Sequence, residues 1–251
     1  MSQVYNKNLL HLINCYESGK RGVILEGGAR SGKTIASIDF LIGLCAKNFN
    51  KGKLIFLIKD IYNGFKTTLY DDFNRRLPDH GIPSPFANVK ELQSFYLFGN
   101  RIVLIGADQP DKFLSASCDI FWANEPLNIK KETWRQIEMR CRMFWWSDYN
   151  PMFSDHWIYD FEKRPEISFC HTTMLDNPYI PRWQKINILS ANPDVKENID
   201  QKTADDYIWK VYGLGLRASP QGLIFPNVNW IERFPDDVDR CLLYTSDAAD
   251  E

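Results

Sequence analysis

Apolar residues recur at helical spacing through residues 5–17 and stop at Ser18-Gly19, which predicts a first helix. A short apolar run at 23–25 then reads as a buried strand, and residues 35–47 as an amphipathic helix. Residues 53–59, with LIFLI at their centre, form a second strand pattern, and 62–77 a helix ended by Pro78. Runs at 94–98 and 101–105 flank Gly99-Asn100 as the arms of a hairpin do. A strand is expected at 120–123, a helix at 130–142 and a strand at 143–147. A short helix at 154–161 with Ser154 as its N-cap and a strand at 167–173 complete the regular part. From Asp176 onward the pattern weakens, with helices expected near 181–189 and 204–212.

The strands are continuously apolar, and helices separate most of them. This predicts an α/β fold with a mainly parallel central sheet and helices on both faces. Among 251 residues, 44% are hydrophobic and 25% charged, ordinary values for a globular chain. Aromatics reach 14%, so large rings should fill the core. The net charge of −2 gives no global attraction for nucleic acid, so any such contact must be local. Six cysteines show no zinc or redox spacing and read as small core residues of a reducing compartment. The start lacks a signal-peptide pattern, and no apolar run approaches a membrane span, so no membrane association is expected.

Chemistry concentrates first at 27–34, GGARSGKT, which satisfies G-x-x-x-x-G-K-[ST]. Gly27, Gly28 and Gly32 allow the backbone to turn its N–H groups toward a phosphate, with Ala29, Arg30 and Ser31 completing the loop. Lys33 supplies a cation to the β- and γ-phosphates, Thr34 a hydroxyl to Mg²⁺, and the following helix points its positive end at the anion. Arg30 is either a solvated loop side chain or an arginine aimed at the γ-phosphate. The setting between a strand and a helix is the one this motif requires, so ATP and Mg²⁺ are the expected ligands.

A second site is DIFWANEP at 119–126, an apolar strand ending in Asn124-Glu125. Glu125 is the candidate general base for the attacking water. Asn124 is placed to reach a metal-bound water through its amide oxygen, and Asp119 is a strand-start residue at the far end. Trp145, Trp146 and Trp157 read as core or interface aromatics, and His156 and His171 as structural residues.

With both motifs placed, the chain resembles the ATPase half of the large terminase subunit of tailed bacteriophages. The resemblance is carried by the P-loop, GADQPDKFLSASCDIFWANEP at 106–126, SDYNP at 147–151 with HWIY at 156–159, HTTMLDNPYIP at 171–181 and VYGLG at 211–215. GLIFPNVNWIERFP at 222–235 resembles that family's connector into a nuclease domain. The resemblance implies an ASCE-type P-loop NTPase in which Lys33 and Thr34 act on phosphate and Mg²⁺. It implies Glu125 acting on water, Asn150 sensing the γ-phosphate or coupling, and Arg30 as a catalytic arginine. It also implies a viral genome-packaging motor whose partners are double-stranded viral DNA, a portal protein and a small terminase subunit. Such a motor works as a homo-oligomeric ring docked on the portal, in the cytoplasm of the infected bacterial host and transiently on the procapsid.

The expected organisation is an ATPase domain at 1–221, a connector and nuclease stub at 222–240, and a non-native tail at 241–251. Asp236, Asp237 and Asp239 have no further acidic strand to complete a two-metal site, so no nuclease activity is expected. The last eleven residues, CLLYTSDAADE, can be encoded by a transposon-end sequencing adapter. Two other readings compete: a helicase-like P-loop ATPase, and a non-hydrolysing nucleotide-binding assembly protein. The first would need a second RecA-like domain, and intact Lys33, Thr34 and Glu125 argue against the second. Tyr5, Asn6 and Asn8 are candidates for the adenine side.

Overall fold

A computed structural model describes residues 6–86, 92–108 and 117–219. Helix α1 (Lys7–Glu17) buries Asn8, Leu12 and Cys15, and Asn6 caps it by accepting from the Asn8 N–H. Strand β1 (Gly22–Gly27) is buried throughout and runs into the P-loop. Helix α2 (Lys33–Lys47) starts from Gly32, whose φ of 83° suits glycine. Strand β2 (Leu54–Lys59) follows.

The helix expected at 62–77 begins as a π-turn (Phe65–Leu69) and continues as α3 (Tyr70–Asp79). Pro78 lies in its last turn rather than stopping it. The helix closes just beyond, where His80 and Gly81 N–H groups bond back to the Leu77 and Pro78 carbonyls. Strands β3 (Ser94–Leu97) and β4 (Asn100–Gly106) form the expected antiparallel hairpin. Its turn is Phe98-Gly99, one residue earlier than the sequence pattern indicated, with φ of 50° and 76°. Asn100 is instead a buried strand residue: its amide donates to the Cys45 and Leu97 carbonyls and accepts from the Lys53 N–H.

Strand β5 (Cys118–Asn124), helix α4 (Lys131–Arg140) and strand β6 (Cys141–Tyr149) come next. β6 takes two residues from the expected helix, because Cys141 already pairs with Cys118 across the sheet. The short helix expected at 154–161 is a 3₁₀ segment, Trp157–Lys163, capped by His156 rather than Ser154. Strand β7 (Ile167–Thr172) ends one residue short because Thr173 caps a 3₁₀ turn in a capping box with Asp176. Helices α5 (Arg182–Leu189), α6 (Lys196–Asp200) and α7 (Asp206–Ile208) follow, and α7 continues into a π-turn at Trp209–Gly213.

The seven strands lie in the order β3-β4-β2-β5-β6-β1-β7, parallel except for β3. β6 therefore separates the P-loop strand β1 from β5, the ASCE arrangement. Side-chain parity divides the core between the two faces. Leu25, Ile55, Leu57, Trp122 and Trp146 face α1, α2 and α3. Phe121, Trp145 and Tyr149 face α4 and the 3₁₀ segment. Phe121 stacks on Trp145 and Trp122 on Trp146, each with centroids 5.8 Å apart. Each such pair is worth roughly 0.5–1.5 kcal/mol beyond its buried area. Trp145 and Trp146 are thus core residues, and Trp157 packs against Trp134.

The five described cysteines are buried and unpaired by disulfide. No helix among the described residues is long and apolar enough to cross a membrane. The compact unit holding the described residues ends at Ser219. The connector, Asp236, Asp237, Asp239 and the tail from Cys241 lie outside the described residues, as does Tyr5.

Candidate active site

The site gathers at the carboxyl ends of the parallel strands, where an open α/β sheet places its ligands. Gly27 ends β1 against β7. A Cβ there would overlap the Thr172 carbonyl oxygen, and one on Gly28 would lie 2.5 Å from the Tyr212 carbonyl oxygen. The loop backbone is held by the Gly28 N–H donating to Thr172 and the Ala29 N–H donating to Tyr212, both at 2.9 Å. VYGLG and HTTM thus wall the P-loop. Asn8 is a brace: its amide donates to the Ser31 carbonyl and accepts from Thr172 Oγ1. Asn6 donates to the Gly32 carbonyl, at the rim of a groove of about 830 Å³ between α1 and α2.

Lys33 is buried, and its Nζ donates to the Gly27 and Gly28 carbonyls at 2.9 and 2.7 Å. It also reaches Ser31 Oγ at 3.1 Å and Asn150 Oδ1 at 3.0 Å. Burial lowers its pKa to about 8, against the pull of Asp148, Glu125 and Glu26. Asn150, picked out from SDYNP, therefore touches the P-loop lysine directly. Arg30 is exposed with φ of 61°, and its carbonyl accepts from the Asn177 amide at 2.7 Å. Arg30, Lys33, Thr34, Asn124, Glu125 and Asn150 all line one cavity of about 530 Å³.

Two members of this cavity region went unrecognised in the sequence. Asp148, at the end of β6, is buried beside Thr34: Thr34 Oγ1 donates to its Oδ2 at 3.0 Å. Asn124 Nδ2 donates to the same oxygen at 3.1 Å, and Trp122 Nε1 donates to Oδ1 at 2.6 Å. Burial pushes the Asp148 pKa upward and Glu125 adds to this, while Trp122, Lys33 and Thr34 oppose it. The other is Lys59, at the end of β2, whose Nζ lies 2.9 Å from Asn124 Oδ1 and 2.9 Å from Glu125 Oε2. The amide oxygen of Asn124 thus accepts from Lys59, and its NH₂ faces Asp148. This orientation differs from the expected one, in which the oxygen faced a metal-bound water. Parity held the signal for both residues: Lys59 continues Ile55 and Leu57, and Asp148 continues Phe144 and Trp146, on the face carrying α2.

Glu125 follows Asn124 at φ 52°, and its N–H donates to the Asp148 carbonyl. Its side chain is 57% exposed while Lys59 is 5% exposed. A solvent-facing carboxylate pinned by a buried ammonium can orient a water beside a phosphate. Asp119 sits at the opposite end of β5, bonded to the Leu54 N–H and Arg142. His156 Nε2–H donates to the Leu127 carbonyl and His171 Nε2–H to that of Gly215. Among the described residues no group of three or more His, Cys, Asp or Glu could hold a metal by itself. The oxygens of Thr34 and Asp148 are hard donors of the kind Mg²⁺ takes alongside phosphate.

A family model described as phage terminase large subunit matches residues 20–215. The fold is similar to that of the large terminase from a thermophilic bacteriophage, solved in several crystal forms. In crystal form 2 the TM-score is 0.64 at 19% identity, covering 85% of this chain and 54% of that one. The same phage's large terminase in complex with ATP-gamma-S gives TM-score 0.57 at 17% identity, over 75% of this chain and 49% of that one. The Thermus phage P74-26 large terminase ATPase domain gives TM-score 0.52 at 13% identity, covering 80% of this chain and 90% of that one. The chain spans about half the length of the thermophilic-phage terminase it matches. Comparison with curated proteins found no match. The P-loop, the ASCE strand order and the match over residues 20–215 lead to one conclusion: this chain belongs to the phage terminase large subunit family.

Proposed function

We propose that this chain is the ATP-hydrolysing motor domain of a DNA-packaging terminase, coupling hydrolysis to movement of double-stranded DNA into a procapsid. The observation that carries this reading is the convergence of Lys33, Thr34, Glu125 and Asn150 on one cavity at the carboxyl ends of the parallel strands. The loop N–H groups and Lys33 bind and orient the triphosphate. Lys33 then exchanges its contacts with Asn150 and the loop carbonyls for phosphate oxygens, and this exchange passes phosphate occupancy to β6. Thr34 would be one of the oxygen donors that hold Mg²⁺, which would supply charge neutralisation at the phosphates. Glu125 orients the attacking water, and Arg30 stands at the cavity rim to meet γ-phosphate charge. Asn6 places the nucleoside side toward the groove between α1 and α2.

The solved complex of the thermophilic-phage large terminase with ATP-gamma-S supports a nucleotide ligand for this fold. The motor domain is assigned to 1–221, with a connector at 222–240 and a non-native tail at 241–251. Its partners are viral DNA, the portal protein, the small terminase subunit and other copies of itself in a ring on the portal. It acts in the host cytoplasm and on the procapsid. The test is ATP turnover by the chain with and without double-stranded DNA, beside a Lys33→Ala variant. Turnover that DNA raises and the variant lacks supports the reading; equal rates in the two proteins would sink it.

A further inference from the structure

The residue at 124 is an amide, yet one buried carboxylate does face the Thr34 hydroxyl, and it comes from the neighbouring strand. Asn124 and Asp148 are register partners on β5 and β6, and Asp148 is also the partner of Leu25 on β1. The carboxylate therefore lies one strand nearer the P-loop than residue 124 does. Its three hydrogen bonds all come from neutral donors: Trp122 Nε1, Thr34 Oγ1 and Asn124 Nδ2. None of these donors is a cation, and Asp148 and Thr34 line the same cavity. Asn124 supports this arrangement, with its oxygen held by buried Lys59 and its NH₂ left to steady Asp148.

We infer that Asp148, on β6, is the metal-facing carboxylate of this motor, doing from the adjacent strand what Asn124 lacks the charge to do. Asn124 is a positioning residue that aligns Asp148. The inference rests on the ATPase reading above and names the residue opposite Thr34 at that site.

The test follows binding of a fluorescent ATP analogue to the full chain while MgCl₂ is titrated. In Asp148→Asn, the apparent Mg²⁺ affinity of the nucleotide complex should fall at least about tenfold. Metal-free nucleotide binding should hold or tighten, because a negative charge beside the phosphates is gone. A merely structural aspartate would weaken both. The double variant Asn124→Asp/Asp148→Asn returns one carboxylate and one amide to the same strand pair. It should recover Mg²⁺ dependence even where the single variant folds poorly. Wild-type Mg²⁺ dependence in Asp148→Asn, or none in a folded double variant, overturns the inference. Failure of the unaltered chain to bind nucleotide at any Mg²⁺ concentration would instead remove the ATPase reading beneath it.

Discussion

Lys59 Nζ lies 2.9 Å from Glu125 Oε2 and at the same distance from Asn124 Oδ1, so one buried ammonium links the last residue of β5 to the one after it. The two contacts do different work. Glu125 is largely in solvent, so its ion pair adds little to stability. Glu125→Gln should leave the melting temperature and nucleotide binding nearly unchanged. Single-turnover hydrolysis should slow by at least about a hundredfold, the lower range for a lost general base. Hydrolysis at the normal rate would mean that another residue orients the water.

Lys59→Met separates the effects. It strips a buried amide oxygen of its donor, which costs about 1–3 kcal/mol. Denaturant unfolding should show that loss, whereas Glu125→Gln should not.

Lys33 gives a pH prediction. Its pKa is lowered to about 8 in the folded chain, so the folded state holds fewer protons than the unfolded one between about 8 and the ordinary lysine value. The burial penalty is full below pH 8 and fades as pH rises through that window. Nucleotide binding runs the other way, because phosphate selects the charged lysine. Affinity should be flat below about pH 7.5 and fall by up to about tenfold per pH unit above 8. Calorimetry in buffers of different ionisation enthalpy should show proton uptake on binding at pH 8.5, and Lys33→Ala should abolish nucleotide binding altogether.

Two glycines should respond in opposite ways to alanine. Gly27→Ala drives a Cβ into the Thr172 carbonyl, so β1 and β7 must part and stability should fall by about 1–3 kcal/mol. Gly43→Ala, inside α2 with nothing within 4 Å of its Cβ, should add up to about 1 kcal/mol through helix propensity. Thermal melts of both variants check the pair.

Trp122→Phe keeps an aromatic ring beside Trp146 but removes the indole donor to Asp148 Oδ1. Leaving a buried acceptor without its donor costs about 1–3 kcal/mol. Stability should drop by that amount, and MgCl₂ titration should show weaker apparent metal affinity.

The parallel core was legible because its strands are continuously apolar, and the P-loop because its glycines and lysine follow a strand directly. Glu125 stood out as the acidic end of an apolar strand, and Asn150 only through the family resemblance carried by SDYNP. Asp148 and Lys59 did not, because each follows an apolar run and becomes meaningful only when strand order sets β6 between β1 and β5. The Phe98-Gly99 turn was displaced in the reading because Asn100 looks like a turn residue. Its amide is in fact spent on Cys45, Leu97 and Lys53. The same limit applies to His156, whose capping role depends on a ring nitrogen that accepts from Ile158.

The wall of the P-loop is built from residues far along the chain. Thr172 and Tyr212 hold its N–H groups, and Gly215 packs against Gly28 with no room for a methyl between them. On a ribosome the loop at 27–34 emerges early, but its scaffold follows only much later in the chain. A nascent chain stopped before Tyr212 would carry the whole phosphate motif and still lack the surface that shapes it. Ligand competence would then appear abruptly during synthesis, as the turn at Trp209–Gly213 docks, rather than growing with chain length.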